Sequence, residues 1–218
     1  MLDFYYGVVL SFEVCLSLII GVFIIRRDRS ERLNQTFSLV MLFFSGYLLS
    51  ESIVYLFSIE DLAMVDLLRD FSVLSSTTSS VLLVFTALII QYGDEAVESK
   101  RNLLIGIILT LILAFSGIPF DRAEQPTGAN YIIFTNEIIG KIALLLIPMI
   151  LLLYAMFQYM RVRYSSDDPV LRGKLLKLTV GLLLIIIGIG YFALFPEFRY
   201  PGHIMYIGGL TMLFWAFK

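Results

Sequence analysis

The sequence predicts an all-α membrane protein. It reads as a single domain, residues 1–218, folded as a seven-transmembrane helix bundle with its N-terminus outside and its C-terminus inside. Three observations predict this. The chain is 59% hydrophobic with a mean hydropathy of +0.88. Its apolar residues fall into seven runs separated by mostly short connections, and its lysines and arginines gather in alternate connections.

A soluble domain is close to half apolar, with about a quarter of its residues charged. Only 16% are charged here, and so large an apolar surplus does not fit into one aqueous core. The lipid bilayer is therefore the expected partner of the outer surface. The net charge of −2 gives no footprint for nucleic acid, and none is expected as a partner. One cysteine, Cys15, makes no internal disulfide and no metal site; in its apolar run it reads as a small packing residue.

The seven runs cover residues 5–25, 36–58, 71–92, 103–119, 139–160, 175–196 and 203–217. A helical span needs about 20 residues, roughly 17–25, and the last run is the short one. Each is predicted helical because a segment in lipid must satisfy its own backbone hydrogen bonds, and continuous apolar sequence is unlike the alternation of a barrel strand. The N-terminal "MLDFYYG" carries Asp3 where a signal peptide carries a basic residue, so the first run is expected to remain as a membrane helix.

Orientation follows from the basic residues. Arg26, Arg27, Arg29 and Arg32 follow the first run. Lys100 and Arg101 follow the third, and Arg161, Arg163, Arg172, Lys174 and Lys177 follow the fifth. With Lys218, twelve of the sixteen lie on one predicted side. Only Arg69, Arg122 and Arg199 lie on the other, and Lys141 falls within a run. The expected location is the cell membrane, multi-pass, with the arginine-rich loops in the cytoplasm. Asn34-Gln35-Thr36 matches a glycosylation acceptor by chance on the cytoplasmic side. The longest outer connection, "FDRAEQPTGANYIIFTNE", holds either a small hairpin around "YIIF" or a plain loop.

Charged groups inside a bilayer are costly and need a reason. Glu13 in the first run lies about 12 Å from the outer end, and Glu51 in the second about 10 Å from the same face, at about 1.5 Å per residue. Glu137 and Lys141 stand at the outer end of the fifth run, Arg69 and Asp70 at that of the third, and His203 opens the seventh. Between Ser72 and Ser80, seven of nine residues carry hydroxyls. Ser72, Ser75, Ser76, Ser79 and Ser80 follow helical spacing on one face, while Thr77 and Thr78 point elsewhere. The outer half is thus predicted polar inside and the inner half apolar. Small hydroxyl residues also serve close helix packing, so the serine face is either packing or the lining of a cavity open to the outside. Lys141 either pairs with one of the acids or snorkels to the surface. Pro148 kinks the fifth helix, for fixed shape or for movement. The candidate ligand-binding set is Glu13, Glu51, Ser72, Ser75, Ser76, Ser79, Lys141, Tyr47 and Tyr55.

Several classes lack their residues. A retinal Schiff base needs a lysine midway along the last helix, and "HIMYIGGLTMLFWAF" has none. A single histidine does not provide a bis-histidine haem. No nucleophile–base set, phosphate loop or paired catalytic carboxylates are present, so neither an enzyme nor a cofactor is expected. No internal repeat of the transporter kind is visible.

Three stretches carry a resemblance: "FTALIIQYGDEAVESKRNLLIGIILTLILAFS", "YSSDDPVLRGKLLKLTVGLLLIIIGIGYFAL" and "YIGGLTMLFWAF". Their pattern resembles the seven-transmembrane sensor regions at the N-terminus of prokaryotic histidine kinases and related signalling proteins. The resemblance implies a sensor region but carries over no ligand; with the polar outer half, the expectation is a receptor-like sensor of a small or lipophilic ligand, held in an outer-half polar cavity. In that family a transmitter domain follows the last helix. This sequence stops at Lys218, so either an isolated sensor unit or signalling through a separate cytoplasmic partner is expected; a homodimer is the other partner considered. The alternatives left open are a transporter or channel-like protein for a cation or proton, and a structural subunit of a membrane complex.

Overall fold

The computed structural model describes residues 3–57, 61–117, 121–124, 133–136, 146–195 and 200–218. Eight helices lie among these residues: α1 (Phe4–Arg27), α2 (Arg32–Leu56), α3 (Leu62–Tyr92), the short α4 (Glu95–Glu98), α5 (Lys100–Gly117), α6 (Ile147–Ser165), α7 (Pro169–Leu194) and α8 (Tyr200–Phe217). Apart from them there is one antiparallel hairpin, β1 (Asp121–Glu124) and β2 (Ile133–Asn136), with Asp121 opposite Asn136 and Glu124 opposite Ile133. It is the hairpin alternative for the long connection. Helices α1, α2 and α3, and α7 over Pro169–Tyr191, are long and apolar enough to cross a membrane.

Most helix starts lie outside the apolar runs because their caps are polar. The side chains of Asp3, Asp61 and Asp168 accept from the N–H groups of Tyr6, Ala63 and Val170, respectively. Each satisfies a donor that the first turn leaves without an intrahelical acceptor. Pro169 follows its cap in the first turn, where no N–H is needed. Helix α3 ends at Gly93 with φ of +77°, a conformation that suits glycine. Pro148 also stands in a first turn, that of α6; the residues before it, 137–145, lie outside those described, and so does the expected kink.

Contacts of near-constant residue sum fix the packing. Gly7 with Leu56, Ser11 with Ser52, and Gly21 with Met41 run α1 antiparallel to α2. Glu51 with Ser72, Gly46 with Ser75, and Val40 with Ser79 do the same for α2 and α3. Gly188 with Gly202, Gly181 with Gly209, and Lys177 with Trp215 align α7 antiparallel to α8. Between α1 and α8 the residue difference is constant instead. Glu13–His203 and Arg27–Phe217 are each separated by 190 residues, and Phe23 packs on Phe214. The first and last helices therefore run parallel, side by side.

Contacts are dense within α1, α2 and α3 and between α7 and α8, sparser where α6 meets α3 and α7, and sparser still where α1 meets α8. Helix α3 also carries α4, α5 and β1. Ile20, Ile24, Phe37 and Val40 of α1 and α2, and Tyr159, Leu182, Leu210 and Leu213 of the later helices, are buried in one apolar core. The outer surface is apolar, with Phe12, Ile19, Leu42, Ile105, Ile112 and Ile187 exposed. So many large apolar side chains on the surface suit lipid rather than water.

Two expectations are corrected. Cys15 is exposed rather than packed, because it shares the outward stripe of α1 with Phe12, Leu18 and Ile19. The arginine-rich half is not purely apolar inside: Asn34, Thr86 and Gln158 are buried there.

Candidate functional site

The end of the bundle opposite the arginine-rich loops holds two polar centres. In the first, Glu13 of α1 meets His203 of α8. His203 Nδ1 lies 2.8 Å from Glu13 Oε1, and the two side chains are 3% and 0% exposed, respectively. Among the described residues Glu13 Oε2 has no hydrogen-bond partner. Glu13 thus meets the first turn of α8 across the α1–α8 seam. Tyr6 closes the seam from above: its ring lies 5.0 Å from His203, 4.6 Å from Tyr55 and 6.3 Å from Tyr200, all edge-on. Tyr200 donates to Asp3 Oδ2 at 2.7 Å, so the acid that caps α1 also ties it to α8.

In the second centre, Arg69 Nη1 donates to Glu51 Oε1 at 2.7 Å and Ser72 Oγ donates to the same oxygen at 3.2 Å. The two charged side chains are 20% and 15% exposed. Arg69 lies two turns inside α3, because that helix starts nine residues before the apolar run that marks it. Half-buried Tyr47 sits between the centres, within electrostatic reach of Glu51, Arg69 and Glu13. Buried Tyr206 stacks on Phe44 at 5.0 Å and stands near Glu13, Tyr47 and Tyr6.

The serine run faces α2. Ser79 donates to Val40 O at 3.2 Å, and Ser75 lies against Gly46. Ser76, half-buried, donates to Val73 O within its own helix. Thr77, expected to point elsewhere, is buried and donates to Val73 O. Hydroxyls at this seam let α2 and α3 approach closely and supply one interhelical bond to backbone. The structure thus brings Glu51 and Ser72 together, puts Tyr55 beside Tyr6 over Glu13, and joins the two centres through Tyr47. Lys141 lies outside the described residues.

Several partners were not legible in the sequence. His203 was noted only as the start of the seventh run, and Arg69 only as an end charge. The single signal for His203 is its identity as the sole histidine, on a helix with no Asp, Glu, Lys or Arg before Lys218. A further bond, between the hydroxyls of Thr86 and Tyr159, joins α3 to α6 in the other half.

The arginine-rich end is locked by local bonds. Asp28 accepts from both the side chain and the backbone N–H of Ser30, and these two bonds hold its carboxyl below the usual carboxylate range. The Asn34 amide donates to Asp28 O and to Glu31 Oε2, so this nitrogen is already engaged. Arg27 donates to Phe217 O and Lys218 O, and Lys177 to Trp215 O. Cations thus satisfy the last carbonyls of α8, where they also complement its dipole. No protein-family model matches this sequence, and no curated protein does.

Proposed function

We propose that the chain is a seven-span membrane sensor of the receptor-like kind, with its N-terminus outside and its arginine-rich loops in the cytoplasm. A helix overlies each of the seven apolar runs, and α1 and α8 run parallel, as an odd number of crossings requires. The basic residues supply the orientation.

The observation that carries the reading is the Glu13–His203 pair. It is fully buried, lies in the outer half, and joins the same two helices whose other ends are tied by Arg27 to Phe217. A small or lipophilic molecule entering between Tyr6, Tyr47 and Tyr206 would compete for these groups. A shift of α8 against α1 would carry the change to the cytoplasmic end, where a partner reads it. A ligand shifts such an equilibrium only through differential contacts with its two states, and the seam offers polar groups whose partners can change.

The experiment is a distance measurement. In a Cys15→Ser background, spin labels at Arg29→Cys and Trp215→Cys report the cytoplasmic ends of α1 and α8. Adding Glu13→Gln should change that distance distribution while the helical content is kept. An unchanged distribution would favour a structural subunit.

A second reading, passage of a proton or cation, is favoured by the Thr86–Tyr159 bond and by buried Gln158, polar groups that continue into the inner half. It requires Glu13-dependent proton flux in proteoliposomes, which the sensor reading does not.

A further inference from the structure

Outside the seam just described, α1 carries a surface groove of about 690 Å³ near its arginine-rich end. Its wall is Leu18, Ile19, Val22 and Phe23, and Arg26, Arg27 and Lys218 close one end. Leu18 to Arg26 spans about 12 Å along the helix, at about 1.5 Å per residue. Apolar residues line one end and cations the other, and no acidic side chain lines the groove among the described residues. The nearest acid in sequence, Asp28, is held by Ser30 in the loop turn.

We infer that this groove binds one anionic phospholipid of the leaflet facing the arginine-rich loops. An acyl chain lies along Leu18, Ile19, Val22 and Phe23, and the phosphate sits against Arg26 and Lys218. Charge complementarity selects the occupant. Three cations at the mouth of an apolar trough suit a molecule with a single negative head on a greasy tail. A zwitterionic head brings its own cation, and a free anion leaves the trough unfilled. Arg27 is oriented by its bonds to the α8 carbonyls, so the site takes shape only when α1 and α8 are docked. Lipid bound there would bridge the two helix ends. The inference rests on the membrane setting and not on the sensor reading.

Native mass spectrometry of the detergent-solubilised chain tests it, with phosphatidylglycerol and phosphatidylcholine of identical acyl chains titrated in parallel. Phosphatidylglycerol should bind with clear preference. Arg26→Gln and Lys218→Gln should each weaken it about fivefold, the loss expected for one basic residue at an anionic surface, and leave phosphatidylcholine unchanged. Val22→Trp, which fills the trough without altering charge, should weaken phosphatidylglycerol too. Equal occupancy by both lipids in the unaltered chain, or full phosphatidylglycerol binding in the doubly substituted Arg26→Gln/Lys218→Gln chain, would overturn the proposal. So would competition by inorganic phosphate at the lipid's own concentration, because the trough would then contribute nothing. Both charge changes are at exposed positions, so the decision does not depend on the tryptophan variant folding.

Discussion

Replacing His203 with alanine should be among the most damaging single changes to the bundle, and the structure explains why. The Glu13 side chain is 0% exposed, its Oε1 is bonded to His203, and its Oε2 has no hydrogen-bond partner among the described residues. Loss of the imidazole therefore strands a whole carboxyl group in the interior. Two magnitudes compete. An ordinary interhelical hydrogen bond in a membrane protein contributes about 0.6 kcal/mol, because the unfolded helices find other partners in the bilayer. Leaving a buried polar group without its partner costs about 1–3 kcal/mol. The burial of Glu13 places this site in the second class. For a chain of this length about 1 kcal/mol moves the midpoint by roughly 2–4 °C, so His203→Ala should lower it by about 2–12 °C. Glu13→Ala should cost less, because the imidazole keeps its edge contact with Tyr6. The double variant should be less damaged than the sum of the two, with a coupling of about 1–3 kcal/mol. Reversible unfolding in mixed micelles, followed by circular dichroism for all four chains, measures that coupling. Strict additivity would show that the pair does not act as a unit, and the argument from burial would fail.

Four further outcomes are expected. Gly209→Ala puts a Cβ 2.7 Å from the Gly181 carbonyl oxygen and should destabilise the α7–α8 contact by about 1–3 kcal/mol. Gly208→Ala meets only Leu184 at 3.7 Å and should melt within about 0.5 kcal/mol of the unaltered chain. Tyr159→Phe should cost only about 0.6–1.7 kcal/mol, because Thr86 keeps its 2.7 Å bond to Leu83 O; a larger loss in the same unfolding assay would assign that bond a role beyond packing. The Asp28 carboxyl is held low by Ser30, so its contribution to the loop is present above the ordinary carboxylate pKa and lost as pH falls through the lowered value. Hydrogen exchange at residues 28–35 should therefore rise at acidic pH, and Ser30→Ala should move that rise to higher pH. Cysteine labelling in intact cells should find the loop 26–35 and the C-terminus inside and residues 120–136 outside; a C-terminal reporter found outside would refute the seven-span count.

The helices were legible because apolar length is a direct consequence of the bilayer, and a helix overlies every run. Their starts were less so. Helix α3 begins at Leu62, where Asp61 caps it, and α7 at Pro169 behind Asp168, both in polar sequence before the runs at 71 and 175. Hydropathy marks the part of a helix that meets lipid; the cap marks where the helix begins. That difference carried Arg69 into α3 and within reach of Glu51. Depth counting brought Glu13 and Glu51 to similar levels, but it does not say which neighbour each one faces. His203 was missed as a partner because hydropathy does not give the relative level of α1 and α8; the constant offset of 190 residues along the pair is what sets Glu13 against His203. Cys15 was misplaced for a related reason: in a span that is apolar on all sides, the inward face is not marked by hydrophobicity.

The distribution of small and polar residues gives the bundle two kinds of contact. Serines and Gly46 bring α2 against α3, Gly7 and Gly21 bring α1 against α2, and Gly181, Gly188, Gly202 and Gly209 bring α7 against α8. At Gly7, Gly181, Gly188 and Gly209 backbone approaches backbone, and an added methyl meets main-chain atoms that do not yield, whereas at Gly21 and Gly46 it meets side chains first. The seams joining the two groups are different. Helix α1 meets α8 through Glu13, His203 and Tyr6, and α3 meets α6 through Thr86 and Tyr159. Side-chain hydrogen bonds across a sparse seam can exchange partners without opening a void in the core, whereas interlocked glycines have no second arrangement of similar energy. Movement between the two groups should therefore occur at the polar seams. Glu13→Gln and Gly209→Ala separate the two cases. The first should change the spin-label distance between the ends of α1 and α8 with a modest change in melting, and the second should lower the melting temperature with little change in that distance. The reverse pattern would place the mobile seam between α7 and α8 and remove the physical basis for signalling through Glu13.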